Sequence, residues 1–502
     1  MCAELKKALE QITSLGFMLD EDAFELVKMI EEDQNFSAII DDVVREASQA
    51  TPRPLILSRD AFQRVIDRLT PKTEVAPHEG VKTYRPLAAE YGSRMEVVFD
   101  PSKMIGSAGT LDDFHKYFCD RFERMSRILK ERLDARDAVT LRRALKTPPN
   151  SKVKFIAMVT EKRDRKGRAF LRVEDLEEAA TVLVPEALAS QYTALNLTLD
   201  QVVCFDTVKG QRDFFIAKSI IFPDIPERKL EATDDPLSAL LLADVHFGSK
   251  TFLDEVFSRM IFWLNGKLGS EKQVEAAGAV KYLTIAGDLV DGVGVYPDQE
   301  RDLLIPDIYR QYQLVAQYIE QIPEHIEVIV IPGNHDAVSQ ALPQPAIPSQ
   351  YAEPVYEVRR ITSLGNPCEV KLNDRAFLIY HGNNLVDVIS SIPNASLEQP
   401  HKGVEHLLKI RHLAPEFGAK TPISPELADL LVIQRPPDVM QTGHLHREGY
   451  VNYRGSQIVC CGAWQAQTEY QRRQGVNPTT GSASIIHLGE VRPSVLNFAE
   501  AM

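Results

Sequence analysis

Five times in the second half of this chain an apolar stretch breaks off in a cluster of Asp, Asn or His. ALLLADVHFG ends on Asp244 and His246, YLTIAGDLVDG on Asp288 and Asp291, and IEVIVIPGNHD on Asn334, His335 and Asp336. AFLIYHGNN adds His381, Asn383 and Asn384, and DVMQTGHLHRE adds His444 and His446. Helical segments separate the runs, and strands alternating with helices are the signature of an α/β sheet. Ligands of such sheets bind beyond the carboxyl ends of the strands, where all five clusters fall. A lone Asp-x-His or His-x-His is commonplace. Five clusters in succession, each behind a strand-like run, are not.

The residue types point to metal chemistry. Imidazole suits zinc, iron, manganese or nickel, whereas carboxylate and amide oxygens suit harder ions such as manganese and magnesium. Four histidines, two aspartates and an asparagine are too rich in nitrogen for magnesium alone. The expected cofactors are therefore two divalent ions, manganese first, with iron, zinc or magnesium as alternatives. Two such ions about 3.5–4 Å apart clamp a phosphate and activate water near neutral pH. In an extended segment Asp-x-His and His-x-His put both members on one side. Glycines at 287, 333, 382 and 443 allow close backbone approach or a sharp turn. His78, His115, His325, His401, His406, His412 and His487 lack such a setting and are read as non-ligands.

At 502 residues the chain has room for about three domains at roughly 150 residues each. Residues 1–75 read as a small helical module, with apolar residues at helical spacing from Phe24 to Ile40 and Ser58 as the N-cap of SRDAFQRVIDRL. Residues 76–150 read as linker and amphipathic helix. A run of Pro, Lys and Glu spans Pro71 to Arg85, and Thr110 with Asp113 has the form of a capping box. Behind it Phe118, Phe122, Met125, Leu129 and Leu133 share a face, and Arg121, Arg124, Arg127, Lys130 and Arg132 dot the solvated ones. Residues 151–230 hold five short β runs with hairpin turns, which suits an OB-like barrel. Its basic turn, Lys162 to Arg168, reads as a solvated hairpin tip. Residues 236–495 carry the clusters. Cys460 and Cys461, adjacent in an apolar run, point to opposite faces of a strand and read as core.

Composition narrows the setting. Six cysteines without paired spacing suit reduced thiols in a cytosol. No run of about 18 apolar residues is present, so no membrane span is expected, and MCAELKKALEQI lacks the apolar segment of a secretory leader. The expected location is cytoplasmic. The net charge of −14 leans against a free-standing DNA binder. If the substrate is DNA, a local patch, metals or a partner must supply the attraction.

The five clusters resemble the calcineurin-like metallophosphoesterases, whose pattern reads DxH, GDxx, GNHD, H, GHxH. That resemblance implies an αββα sandwich. It also implies that Asp244, His246 and His446 hold one metal, Asn334, His381 and His444 a second, and Asp288 bridges them. His335 resembles the unligated histidine that steadies the phosphate and protonates the leaving oxygen. Repair nucleases of the superfamily have GDLFH, with a second histidine where this chain has Asp291, so the role of that residue stays open. An OB-like domain before the phosphoesterase domain, joined by FPDIPER, resembles the B-subunits of replicative DNA polymerases. GDLVDGVGVYPDQE, AIPSQYAEPVY and GAWQAQTEYQRRQGVNP are similar to the small subunits of archaeal family-D polymerases. The resemblance implies a 3′→5′ exonuclease that proofreads DNA 3′ ends for a large catalytic polymerase subunit, in a heterodimer or higher complex. Two alternatives stand beside it. A stand-alone phosphatase or cyclic-nucleotide phosphodiesterase would share the motifs but leave the helical module and OB-like domain unexplained. An inactive scaffold would match eukaryotic B-subunits, which have generally lost the ligands this chain keeps.

Overall fold

The apolar runs form strands because their residues alternate between two cores. The computed structural model describes residues 3–15, 17–19, 21–29, 36–49, 56–59, 61–62, 65, 84–191, 197–392 and 395–500. In the strand Ser238–Leu242, Ala239 and Leu241 enter one core while Leu240 and Leu242 enter another. Tyr282 and Ala286 of Val280–Ala286, with Ile329 and Ile331 of Glu327–Ile331, join the first; Leu283, Ile285, Val328 and Val330 join the second. Strands buried on both faces belong in a covered parallel sheet. These three are mutually parallel, with Ile361–Ser363 at one edge. Ser482–His487 and Arg492–Asn497 complete six strands in antiparallel sense.

A second six-stranded sheet runs in the order Gly449–Tyr453, Ser456–Cys460, Val439–Thr442, Arg375–Ile379, Cys368–Leu372 and Met95–Phe99. The first core lies between the sheets, where Thr284 donates to the Gln441 side chain of the other sheet at 2.6 Å. Helices Asp254–Leu264 and Ile308–Ile319 cover the outer face of the first sheet. Leu385–Ser391 and Pro400–Ile410 cover that of the second. The result is a mixed α/β sandwich with helices outside both sheets. Cys460 faces the helix layer and Cys461 the core between the sheets, as adjacent strand residues must; burial raises both thiols, Cys460 to about 12.

Lys152–Arg165, Arg168–Glu174, Ala179–Val184, Phe214–Ile221 and Val202–Lys209 close, in that order, into a five-stranded barrel. Alternate residues point inward, among them Leu171, Val173, Val182 and Val184, around Phe155, Phe205 and Phe215. The barrel interior and the helix layer of the second sheet form one continuous cluster. The basic turn at its tip is exposed, with Arg163 paired to Glu161 at 2.8 Å.

The chain divides into two compact units, Met1–Tyr84 and Arg85–Met502. In the first, helices Ala3–Ser14, Glu21–Met29 and Phe36–Gln49 bury Leu5, Ile12, Val27, Ile39 and Val43 with Phe17 and Phe62. Ser58 immediately precedes helical Arg59. Most of the run read as a linker, up to residue 83, lies outside the described residues. Among the described residues no helix is long and apolar enough to cross a membrane.

Two readings between residues 76 and 150 need revision. Met95–Phe99 is an edge strand, paired antiparallel with Cys368–Leu372, in a stretch read only as linker and helix. The helix Leu111–Glu131 has its capping box at Thr110 and Asp113, but it buries Tyr117, Arg121, Met125 and Leu129, spaced four apart, and Leu133 is 80% exposed. Arg121, expected in solvent, is 1% exposed. It stays charged in the core because its Nε donates to Asp429 at 2.6 Å, while its other nitrogens donate to the Pro415 carbonyl at 2.5 Å and the Tyr117 hydroxyl at 3.0 Å. His412 Nε2 lies 2.8 Å from the same carboxylate. Burial would raise the Asp429 carboxyl, but His412 and Arg121 hold it well below the usual carboxylate range. Removing one partner of a buried ion pair costs about 3–5 kcal/mol, because the other charge is left uncompensated. Arg121→Met should therefore lower the unfolding free energy of the Arg85–Met502 unit by that amount in denaturant titration. An unchanged midpoint would show that Asp429 is satisfied without the guanidinium.

Candidate metal centre

Each cluster sits just past the carboxyl end of its strand: Asp244 after Leu242, Asp288 after Ala286, Asn334 after Ile331, His381 after Ile379, and His444 after Thr442. The first three strands belong to one sheet and the last two to the other, so the site spans the top of the sandwich. Asp244, His246, Asp288, His444 and His446 all have left-handed backbones, with φ between 51° and 71°. A non-glycine residue there costs about 1–3 kcal/mol and persists only where surrounding structure over-determines it. The Asp-x-His and His-x-His pairs therefore converge through left-handed turns rather than along an extended strand. Val245, between Asp244 and His246, anchors its turn in the helix-side core. Glycine is sterically required at the site: a Cβ on Gly333 would lie 2.2 Å from Asp288 Oδ1, one on Gly287 2.3 Å from His381 Nδ1, and one on Gly443 2.6 Å from Asp244 Oδ2.

All eight predicted residues come together. Asp244, His246, Asp288 and His446 each present an atom within 4.8 Å of the others, and so do Asp288, His381 and His444; Asp288 belongs to both groups. Its Oδ2 lies 3.3 Å from His381 Nε2 and 3.8 Å from His246 Nε2. His246 Nε2 and His446 Nε2 are 3.0 Å apart, and Asp244 Oδ1 is 3.5 Å from His446 Nε2. Asn334 Oδ1 faces His381 Nε2 at 3.2 Å. The His381 Nδ1–H donates to the Ala286 carbonyl at 2.8 Å, which leaves Nε2 as the free donor atom. Among the described residues none of His115, His325, His401, His406, His412 and His487 joins such a group, and His78 lies outside them.

The electrostatics fit a divalent cation. Burial lowers His444 to about 3 and holds His446 well below the usual imidazole value, so both are neutral and able to ligate. Burial raises the Asp244 carboxyl. Burial acts the same way on Asp288, but His381, His335 and His246 outweigh it and keep that carboxyl low. In turn Asp288 overcomes the effect of burial on His381 and lifts it to about 9. The donors are buried carboxylates and imidazoles, a set that suits manganese, iron or zinc.

His335 belongs to neither group that shares Asp288, and joins a third with His246 and Asp291. Its backbone N–H donates to Asp288 Oδ1 at 2.8 Å, and its ring Nδ1–H to the Asp291 carbonyl at 2.7 Å. Its Nε2 is thus the atom able to give or take a proton. A cleft of about 450 Å³ opens over the cluster, lined by His246, Asp288, Asn334, His335, His444 and His446 and flanked by Tyr296, Lys420, Arg447 and Tyr470.

The family model for the B-subunit of DNA polymerases alpha and epsilon matches residues 296–450. The DNA polymerase II small subunit of Pyrococcus horikoshii is 34% identical over 87% of this chain and 71% of its own length. That of Archaeoglobus fulgidus is 37% identical over 86% of both. The chain belongs to the archaeal DNA polymerase II small-subunit family. It spans 64% of the Pyrococcus furiosus small subunit, at 36% identity over 78% of this chain. Among solved structures, an archaeal phosphodiesterase aligns over 52% of this chain and 99% of its own, at 13% identity and a TM-score of 0.26.

Asp291, whose role in this small subunit the sequence left open, is fully buried beside the cluster. Its Oδ1 lies 3.0 Å from His246 Nδ1 and accepts from Gln465 at 2.9 Å, while its main-chain oxygen fixes His335. Asp336 ties the loops together, accepting from the Gly333 and Leu289 N–H groups and the Tyr312 hydroxyl, and burial beside Asp288 raises it to about 6. The spacing GDLVDG was the only sequence signal for Asp291; Gln465 and Gln471, the latter 2.9 Å from His446 Nδ1, lie in GAWQAQTEYQRRQGVNP, which carried the resemblance without giving either a role. Loss of a carboxylate that orients a metal-binding histidine typically weakens metal affinity about 10–100-fold. Asp291→Ala should do so in manganese titration of the folded protein, and wild-type affinity would remove Asp291 from the centre.

Proposed function

We propose that this polymerase small subunit is a two-metal 3′→5′ exonuclease that hydrolyses DNA phosphodiesters. The observation that carries the reading is Asp288, placed in both donor groups and bonded to the N–H of His335. In this reading Asp244, His246 and His446 hold one ion, Asn334, His381 and His444 the other, and Asp288 both, with manganese the first candidate. Bound there, two divalent ions would supply Lewis-acid charge to a phosphate and lower the pKa of water. His335 protonates the departing 3′-oxygen from Nε2, because Nδ1–H is committed to the Asp291 carbonyl. Polarity and proofreading come from the family resemblance. The barrel supports an OB-like reading through its strand order and the helix Glu186–Gln191 between its third and fourth strands in sequence. The domains we assign are a helical module at 1–75, a connecting segment at 76–150, an OB-like barrel at 151–230 and a calcineurin-like phosphoesterase at 236–495.

A large catalytic subunit, the partner that the relatives' names imply, would provide the basic track that a chain of net charge −14 lacks. An inactive scaffold is less well supported, because the eight site residues converge.

End-labelled DNA with manganese tests the reading. Asp288→Ala should abolish hydrolysis and lose metal, whereas His335→Ala should keep metal and slow turnover about 10²–10⁴-fold, the usual worth of a general acid. Loss of metal from His335→Ala would make it a ligand, and full activity of Asp288→Ala would end the assignment. The isolated chain should bind DNA weakly and ever more weakly as salt rises, and the large subunit should improve both binding and hydrolysis. Tight binding at physiological salt, indifferent to that subunit, would refute the accessory role and leave the phosphoesterase reading intact.

A further inference from the structure

Two tyrosines at the mouth of the cleft are unused by this chemistry. Tyr296 follows the Asp291 loop, and Tyr470 lies in the first turn of the helix Glu469–Gln474. Their rings stack with centroids 4.9 Å apart and planes 27° apart, and both line the cleft with His335. Tyr296 is fixed, its hydroxyl donating to Asp302 Oδ2 at 3.0 Å and its ring 6.2 Å from that of His335. Tyr470 is 44% exposed, and its hydroxyl makes no hydrogen bond among the described residues. A large ring held on an anchored ring, with its own polar tip unused, offers a flat apolar surface to whatever enters the cleft.

We infer that Tyr470, backed by Tyr296, is a stacking platform for one nucleobase: that of the nucleoside whose 3′-oxygen departs. This deepens the nuclease reading and rests on it. In the reaction the bond between phosphorus and the 3′-oxygen breaks, and water adds its oxygen to phosphorus and releases a proton. His335 Nε2 gives a proton to the departing oxygen, so the products are a nucleoside 5′-monophosphate and a strand shortened by one with a free 3′-hydroxyl. The departing oxygen belongs to the penultimate nucleoside and leaves on the His335 side. Tyr296 is the tyrosine ring beside His335, and the base of that nucleoside is carried toward the stacked pair. Every base has a π-face, so such a platform accepts any sequence, as an end-trimming enzyme requires. It also favours a frayed single-stranded end, because a base held in a duplex stack has no free face.

The test uses the full 502-residue chain in chelator, with single-stranded DNA carrying the fluorescent base 2-aminopurine at the terminal or the penultimate 3′ position. Wild type should quench the penultimate probe and spare the terminal one. Stacking on an aromatic side chain is worth about 1–3 kcal/mol per base, so Tyr470→Ala should weaken binding roughly 5- to 150-fold and abolish the quenching. Tyr470→Phe should keep both, and equal melting temperatures would show that each variant is folded. Wild-type binding and quenching by Tyr470→Ala, or quenching of the terminal probe alone, overturns the platform. If wild type still degrades end-labelled DNA with manganese, that failure leaves the nuclease reading in place. A wild-type chain that neither binds nor degrades the strand overturns both.

Discussion

The carboxylate of Asp288 is the point on which the centre turns. It stands in a left-handed turn with φ of 51°, against a glycine at 333 that has no room for a Cβ, and within reach of histidines from both sheets. Three things must hold at once for it to sit there. Val280–Ala286 must pair in register with its neighbours on both sides. The GNHD loop must be drawn in by Asp336, and the opposite sheet must close so that His381 and His444 arrive from above. Strain at five such residues, in three turns, is tolerable because each turn follows directly from a strand buried on both faces. A scaffold with less burial would let these turns relax.

What could be read from the sequence follows the range of the interactions involved. The five clusters were legible because the apolar run and its terminal ligands are contiguous, so local pattern and final position agree. Cys460 and Cys461 were legible for the same reason. The Met95–Phe99 strand was not, because its partner lies more than 260 residues further on and its exposed face breaks the apolar signal. The buried stripe of the helix Leu111–Glu131 was misassigned because an arginine was counted as solvated. Nothing near Arg121 in sequence announces Asp429, whose carboxylate supplies the charge that lets the guanidinium stay in the core. Asp291 was noticed but not understood, since its work is to hold two histidines whose own roles depend on the fold.

Arg121 also explains how the barrel and sandwich behave as one body. Its guanidinium, on the connecting helix, reaches Asp429 and Pro415 on the sandwich side and lies 3.5 Å from the Asp200 carbonyl at the barrel's edge. The hydrophobic cluster runs without a break from Phe155 in the barrel to Leu407 and Met440 in the sandwich. Loops at the cleft, including the segment around Phe417 and Lys420, therefore rest on a base that both parts share.

The chain handles buried carboxylates in two opposite ways, and the contrast bears on what the centre is for. Asp429 is as deeply buried as Asp244, yet an arginine and a histidine hold it firmly ionised. Among the described residues the Asp244 carboxylate accepts only from the His444 N–H and stands near His446, and burial pushes it up. A fold able to bring Arg121 to Asp429 could have set a basic side chain against Asp244 too, and folding alone would favour that. Instead, the cluster gathers buried carboxylates and imidazoles around Asp288, with His381 raised beside it and His444 and His446 held neutral, a donor set that a divalent cation would complete. Left-handed turns, close-packed glycines and the raised carboxyl of Asp244 all oppose stability, and what they share is the convergence of donor atoms on one small volume.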